Sequence, residues 1–140
     1  MSNPCIIPTI RYADAPAAIE WLCRALGFEQ HVVYADDGVV HHAQLSFGPS
    51  MIMLGTARDD AFGKLQGVAI KGQPVTQSAY LIVPDADAHY ARAVANGAEI
   101  VYDIRTEDYG GRGYTCRDPQ GQIWSIGTYD PYTATGNDSA

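Results

Sequence analysis

The hydrophobic and polar positions of the chain follow one order twice, once in each half. Residues 6–34 and 78–104 each begin with a short apolar run, pass an Asp-Ala pair, and continue with helical spacing that stops at a glycine. Three further runs of strand-like residues, separated by turn residues, follow each helical stretch. Each half therefore predicts the order β-α-β-β-β, and the chain predicts an α+β fold with modules at 5–55 and 78–130.

The two predicted helices have recognisable ends. Asp14 and Asp85 precede them, and aspartate at this position accepts hydrogen bonds from free N–H groups of the first turn. Gly27 and Gly97 follow them, and glycine readily takes the left-handed conformation that ends a helix. The i, i+3, i+4, i+7 spacing predicts the buried faces. These are Ile19, Leu22, Cys23 and Leu26 in the first helix, and Tyr90, Ala91, Val94 and Ala95 in the second.

Two segments lie outside the modules. Residues 56–77 join them, and this stretch is longer than an ordinary connection, so it is predicted to be a linker, a lid or a dimer contact. Residues 131–140 form a polar tail that is expected to fray.

Composition narrows the classes of partner. The 140 residues carry a net charge of −7, which argues against nucleic-acid binding because phosphate contacts need clustered Lys and Arg. No apolar run approaches the roughly 18 residues of a membrane helix, and the amino-terminal residues lack the basic start of a signal peptide. Cys5, Cys23 and Cys116 form no CxxC pair, which favours reduced thiols. We expect a cytoplasmic protein with no nucleic-acid or membrane partner.

Two stretches carry a family resemblance: RYADAPAAIEWLCRALGF (11–28) and YGGRGYTCRDPQGQIWSIGTYDPY (109–132). With the doubled βαβββ order and the DPxG turn before the last strand, they resemble the vicinal oxygen chelate superfamily of glyoxalases, bleomycin-resistance proteins and extradiol dioxygenases. The resemblance implies two paired modules forming a curved mixed sheet that encloses a cup, and it implies a homodimer. In the enzymes of this superfamily the cup also holds a divalent metal ion.

The positions that correspond to the family's metal ligands hold Ile7, Met53, Ser78 and Ser125. None of these is His, Glu, Asp, Gln or Cys, and divalent ions need imidazole, carboxylate or thiolate ligands to replace their water. We therefore predict no metal and no other cofactor. His41 and His42 are adjacent on a predicted strand, so they are expected to point to opposite faces and not to chelate one ion together.

Strand alternation predicts the lining of the cup. His42 is a candidate ligand-binding or acid–base group because imidazole titrates near neutral pH, although a polar cup residue without chemistry explains it equally well. Arg112 follows two glycines and could present its guanidinium to an anion, and Tyr114 is a second candidate proton carrier. Asp118 is expected to shape a turn and do nothing more. The predicted ligand-binding set is Ile7, Thr9, His42, Gln44, Met53, Ser78, Tyr80, Arg112, Tyr114 and Ser125.

These features favour a metal-free protein that binds a small organic molecule, as the bleomycin-resistance proteins of the resembled family sequester an antibiotic. A mostly apolar concavity with a few polar groups is typical of small-molecule sites. Three alternatives stay open. They are a divalent-metal-dependent lyase, isomerase or dioxygenase of the same superfamily, metal-free catalysis using His42 or Tyr114, and an interaction protein without a small ligand.

Overall fold

A computed structural model describes residues 3–133 and divides the chain into two compact units, with the boundary between Ala69 and Ile70. The first unit contains β1 (Thr9–Tyr12), α1 (Ala15–Trp21), β2 (Glu29–Asp36), β3 (Val39–Phe47) and β4 (Ser50–Thr56). The second contains β5 (Ala79–Ile82), α2 (Ala86–Ala95), β6 (Glu99–Thr106), β7 (Arg112–Arg117) and β8 (Ile123–Gly127). The predicted α+β class and the repeated βαβββ order are confirmed. Most of the predicted polar tail, from residue 134 onward, lies outside the described residues.

Each unit builds one four-stranded mixed sheet with the same topology. The strand orders are β1-β4-β3-β2 and β5-β8-β7-β6, with the first strand of each unit parallel to the last. The registers also correspond, because Thr9 lies opposite Met53 and Tyr80 lies opposite Ser125. The repeat seen in the sequence is therefore a structural repeat down to the pairing of individual residues.

The predicted helix ends are confirmed. The Asp14 Oδ1 accepts a hydrogen bond from the N–H of Ala17 at 3.1 Å, and the Asp85 Oδ1 accepts one from Ala88 at 3.0 Å. Gly27 and Gly97 both have positive φ, 91° and 85°, as the left-handed conformation requires.

The buried face of the first helix differs from the predicted one at a single position. Ile19, Leu22 and Leu26 are buried as expected, but Cys23 is only half-buried and Ala25 takes its place in the core. The helix continues after Trp21 as a π-helical segment (Leu22–Leu26). Because a π-helical turn holds more residues than an α-helical turn, it rotates the later side chains away from the α-helical spacing.

The predicted face of the second helix is wrong. Ala86 and Ala93 are buried and His89 and Tyr90 are half-buried, whereas Ala91, Val94 and Ala95 are exposed. Alanines occur on every side of this helix, so apolar spacing alone does not select one face. The bulky residues decide instead, because Tyr90 packs its ring edge against Tyr114 of β7, with the centroids 5.1 Å apart.

The helix of each unit covers one face of its sheet, and the core lies between them. Leu45, Ile52 and Leu54 are buried in the first unit, and Trp124 and Ile126 in the second, on the side predicted for each. We call the opposite face of each sheet its open face. No helix in residues 3–133 is long and apolar enough to cross a membrane.

The turn before β8 does more than reverse the chain, so the prediction for Asp118 is incomplete. Its carboxylate is 5% exposed and accepts hydrogen bonds from the backbone N–H groups of Gln120 and Gln122, both at 3.0 Å. The second oxygen accepts one from the indole Nε1 of buried Trp124 at 3.1 Å. Asp118 therefore ties the turn to the core of the second unit.

The joining segment is shared between the two units. Its first part is held to β1 by a hydrogen bond from the Gln66 Nε2 to the carbonyl of Thr9 at 2.8 Å. Its second part contacts the turn of the second unit, where the Arg117 Nη1 donates to the carbonyl of Gln73 at 3.2 Å. The segment thus has fixed contacts along both halves.

Candidate ligand site

The open face of the second unit carries a cavity of about 190 Å³. Its most prominent side chains are four tyrosines, Tyr80, Tyr102, Tyr109 and Tyr129. They come from β5, from β6 and from the loops after β6 and β8, so the sheet brings together rings that are far apart in the chain.

Glycines on the floor of the cavity make the space available. A Cβ atom on Gly127 would lie 2.8 Å from the Tyr80 hydroxyl, and one on Gly113 would lie 2.5 Å from the carbonyl oxygen of Ile126. The Tyr80 hydroxyl reaches across Gly127 and donates to the carbonyl of Tyr129 at 2.8 Å. A side chain on Gly127 would therefore occupy the space that the tyrosine uses.

Two of the tyrosine rings pack against each other, and two of the phenols have raised pKa values. Tyr109 and Tyr129 meet edge to face, with centroids 5.1 Å apart and ring planes at 86°. Burial, with a smaller contribution from Tyr109, raises the pKa of Tyr80, and burial followed by the nearby Glu107 carboxylate raises the pKa of Tyr109. These phenols therefore stay protonated at neutral pH.

One ion pair borders the tyrosines. The Arg105 Nε donates to a carboxylate oxygen of Glu107 at 3.0 Å, and the guanidinium lies over the Tyr102 ring at 5.6 Å from its centroid. The hydrogen bond to Glu107 is the main cause that raises the pKa of Arg105. Because the two charges oppose each other, they add little net charge to this rim of the cavity.

Four residues predicted for the cup line this cavity: Tyr80, Arg112, Tyr114 and Ser125. The Ser125 hydroxyl lies 2.9 Å from that of Thr115 on the neighbouring strand, so the two share one hydrogen bond. The guanidinium of Arg112 pairs with a carboxylate, because its Nε donates to both carboxylate oxygens of Asp87 at 3.0 and 3.1 Å. The sequence predicted that Arg112 presents its guanidinium to an anionic ligand. In the structure this guanidinium is instead paired with Asp87 of α2.

The expected position of the Tyr114 side chain is also corrected. Tyr114 is 3% exposed, and its hydroxyl lies 2.7 Å from the Nδ1 of His89. His89 belongs to α2, which covers the face of the sheet opposite the open face. Burial raises the pKa of Tyr114 well above its usual value. A hydroxyl so placed is a packing group and is unsuited to carry protons for a ligand on the open face.

In the first unit, four predicted residues lie together on the open face. Met53 has Thr9 on one side and Gln44 on the other, and the Gln44 Nε2 lies 3.0 Å from the His42 Nε2. The His42 ring also stacks on Tyr34, with centroids 6.4 Å apart. The remaining two predicted residues, Ile7 and Ser78, precede β1 and β5 and are exposed.

The strand alternation from which His41 and His42 were predicted to point to opposite faces is interrupted at His41. The pairing of β2 with β3 shifts at this point, because Tyr34 lies opposite His42 and the next residue, Ala35, lies opposite Val40. His41 is thus the extra residue of a β-bulge, which interrupts the alternation of side chains. The burial pattern agrees. Val40 and Ala43 are both buried, whereas regular alternation would place residues three positions apart on opposite faces.

Comparison with known proteins identifies the family. The model of the Glyoxalase/Bleomycin resistance protein/Dioxygenase superfamily matches residues 6–126. The chain belongs to this superfamily. An uncharacterised protein of Mycobacterium bovis, Mb0911c, is 31% identical over 128 residues, which cover 89% of this chain and 83% of that protein.

Solved structures are similar as well. TioX from Micromonospora sp. ML1 has 26% sequence identity and a TM-score of 0.71, over 89% of this chain and 98% of that chain. A glyoxalase-related enzyme from Fulvimarina pelagi has 17% identity and a TM-score of 0.67, over 99% of this chain and 96% of that chain, and it supports the fold alone.

The superfamily's metal-ligand positions are chemically unsuited to a divalent ion here. Met53 of the first unit offers a thioether, and Ser125 of the second offers a hydroxyl already shared with Thr115. Among residues 3–133 no group of three or more His, Cys, Asp or Glu is placed to hold a metal ion. Neither Met53 nor Ser125 offers the imidazole, carboxylate or thiolate that a divalent ion needs.

Sequence reasoning missed Tyr102, Arg105, Glu107 and Tyr129 as cavity residues. Tyr102 and Arg105 lie on β6, whose pairing with β7 shifts twice, between Ile100 and Tyr102 and again between Tyr102 and Arg105. Alternation along this strand therefore gives no reliable face. The available signal was the density of tyrosines between residues 102 and 129.

Proposed function

We propose that this protein binds a small organic molecule carrying an aromatic ring, in the cavity of the second unit, without a divalent metal ion. The observation that carries the proposal is the cavity of about 190 Å³ with four tyrosine side chains around it. An apolar cavity of roughly 150 Å³ holds a benzene molecule, so the volume suits one substituted ring.

The chemistry of the wall supports an aromatic ligand. Favourable ring–ring contacts contribute about 0.5–1.5 kcal/mol each beyond the burial of area. The protonated phenols and the hydroxyls of Thr115 and Ser125 can fix a polar substituent by hydrogen bonds. The proposal extends to the cytoplasmic location and the homodimer that the family resemblance implies, and to sequestration of an antibiotic or xenobiotic as the biological role.

A thermal-shift screen against antibiotics and aromatic metabolites tests ligand binding. A ligand at 100 times its Kd adds about 2.7 kcal/mol of stability. The compounds that stabilise the protein are then titrated into two glycine variants. Gly127→Ala should weaken binding, because its Cβ would lie 2.8 Å from the Tyr80 hydroxyl, whereas a Cβ on the control Gly67→Ala meets open space.

Two results would contradict the proposal. One is a screen in which no compound shifts the melting temperature, and the other is a compound whose affinity is unchanged by Gly127→Ala. Elemental analysis after exhaustive chelation tests the metal-free part separately, since one retained transition metal per chain would contradict it. Turnover of a bound compound would favour an enzyme of the same superfamily.

A further inference from the structure

Two arginines of the first unit have no carboxylate partner among the described residues, whereas most arginines of this chain do. Four others pair with a carboxylate, at N–O distances between 2.8 and 3.7 Å. Within residues 3–133, Arg11 and Arg58 form no ion pair, although the chain carries a net charge of −7. Arg11 is half-buried, and a partly desolvated cation without a carboxylate is costly unless another group offsets its charge.

Both arginines belong to one end of the first sheet. Arg11 on β1 lies opposite Gly55 on β4, where a Cβ would be 2.7 Å from its Nη1. The strand pairing continues through a hydrogen bond from Ala57 to the carbonyl of Tyr12 at 2.9 Å, and Arg58 is the next residue. Glycine at position 55 is therefore what allows the Arg11 guanidinium to lie across the strand end.

Each guanidinium is held by a group that does not neutralise it. The Arg58 Nη2 lies 2.5 Å from the Nδ1 of His41. Arginine has only donors, so the His41 Nδ1 is the acceptor of this hydrogen bond. Arg11 lies beneath the ring of Phe62, with 5.3 Å from its Cζ to the ring centroid. The Oδ1 of neighbouring Asp60 accepts from the N–H of Gly63 at 2.8 Å.

The bulge at His41 is part of this arrangement. The carbonyl of His41 is 3.3 Å from the place of a Gly55 Cβ, so His41, Gly55 and Arg11 are neighbours. The same residue anchors Arg58 through its ring. Both guanidinium groups are thus anchored beside His41 and Gly55 and keep N–H donors that an anion with two or more oxygens can use.

We propose that Arg11 and Arg58 form a binding site for an oxyanion, the carboxylate or phosphate group of a small molecule. His41 positions Arg58, and Phe62 of the joining segment positions Arg11. The site belongs to the first unit and does not rest on the tyrosine cavity of the second.

Calorimetric titration of the full chain with inorganic phosphate, and separately with acetate, tests the site at constant ionic strength. Arg58→Gln and Arg11→Gln should each weaken binding about tenfold or more, because each removes charge-assisted hydrogen bonds to the anion. Arg24→Gln is the matched control, since it removes one positive charge from the same unit at a residue outside the proposed site. Arg24 pairs there with Glu20 at 2.8 Å. We expect it to change the affinity by less than about twofold because solvent screens exposed charges.

Two of the variants, Arg58→Gln and Gly55→Ala, separate a lost site from a lost fold. Arg58 is exposed, so Arg58→Gln should fold even if Arg11→Gln does not. Gly55→Ala leaves the charge unchanged but places a Cβ against the Arg11 guanidinium, and it should also weaken binding. Binding of phosphate, acetate or both supports the site and identifies its preferred group.

The proposal is overturned if neither anion binds, or if Arg24→Gln weakens binding as much as the two site variants do. The second result would mean that the anion responds to overall charge. Neither result bears on the cavity of the second unit, whose own test uses uncharged aromatic compounds and the Gly127→Ala variant.

Discussion

Replacing Asp118 should destabilise the protein far more than its place in a surface turn suggests. The carboxylate accepts hydrogen bonds from two backbone N–H groups and from the indole of Trp124, and it is 5% exposed. In Asp118→Ala the indole N–H stays buried without its acceptor, while the half-buried Gln120 and Gln122 can recover hydrogen bonds from water. The lost hydrogen bond to the Trp124 indole therefore accounts for most of the lost stability.

The magnitude follows from the number and kind of these bonds. Hydrogen bonds to a charged group contribute about 1.5–3 kcal/mol each, and the cost falls where water can replace the lost acceptor. We expect Asp118→Ala to lower the free energy of unfolding by about 3–4 kcal/mol on that basis. Asp118→Asn should cost about 1–2 kcal/mol, because an amide keeps one accepting oxygen and replaces the other with a donor.

Urea denaturation followed by circular dichroism measures these differences, with Asp108→Ala in an exposed loop as the control. A double-mutant cycle with Trp124→Phe isolates the indole hydrogen bond, because groups in contact give a non-additive energy. If Asp118→Ala costs less than about 1 kcal/mol, as an ordinary surface substitution does, then the buried carboxylate does not hold the turn to the core.

Two further predictions concern buried groups of the second unit. Tyr114→Phe removes the hydroxyl that lies 2.7 Å from the His89 Nδ1, so it should cost about 1 kcal/mol of stability in urea denaturation. It should leave ligand affinity unchanged, and a large loss of affinity would contradict the placement of this hydroxyl against α2. Burial raises the pKa of Cys116 to about 12, so its thiolate is scarce below that pH. At pH 8 a thiol reagent should modify exposed Cys5 quickly and Cys116 only after unfolding, and rapid native modification of Cys116 would contradict its burial.

The sequence predicted the elements of the fold well because their signals are local. Asp14 and Asp85 cap the helices, and Gly27 and Gly97 end them, each through its own backbone neighbourhood. The sheet faces of β4 and β8 followed from simple alternation, because neither strand carries an irregularity in the pairing with its neighbours.

The candidate sites were harder to predict because they depend on irregular pairing and on distant partners. The bulge at His41 and the shifts along β6 reset the alternation, and no local residue signal marks them. Arg112 was misplaced for another reason. Its partner Asp87 is 25 positions away on α2, so only the folded unit brings the two charges together.

The structural repeat explains how one scaffold can hold two chemically different open faces. Gly55 is the next-to-last residue of β4 and Gly127 is the last residue of β8, and each lies opposite the strand that begins its unit. In the first unit the space over the glycine holds the guanidinium of Arg11, and in the second it holds the phenol of Tyr80. The backbone is the same in both places, so the side chain from the first strand sets the chemistry of the face. That makes an exchange informative: Tyr80→Arg should place a cation over Gly127 and weaken the binding of an aromatic ligand, while leaving phosphate binding at Arg11 intact. A Tyr80→Arg protein that kept full affinity for the aromatic ligand would show that the side chain over Gly127 does not set the chemistry of that face.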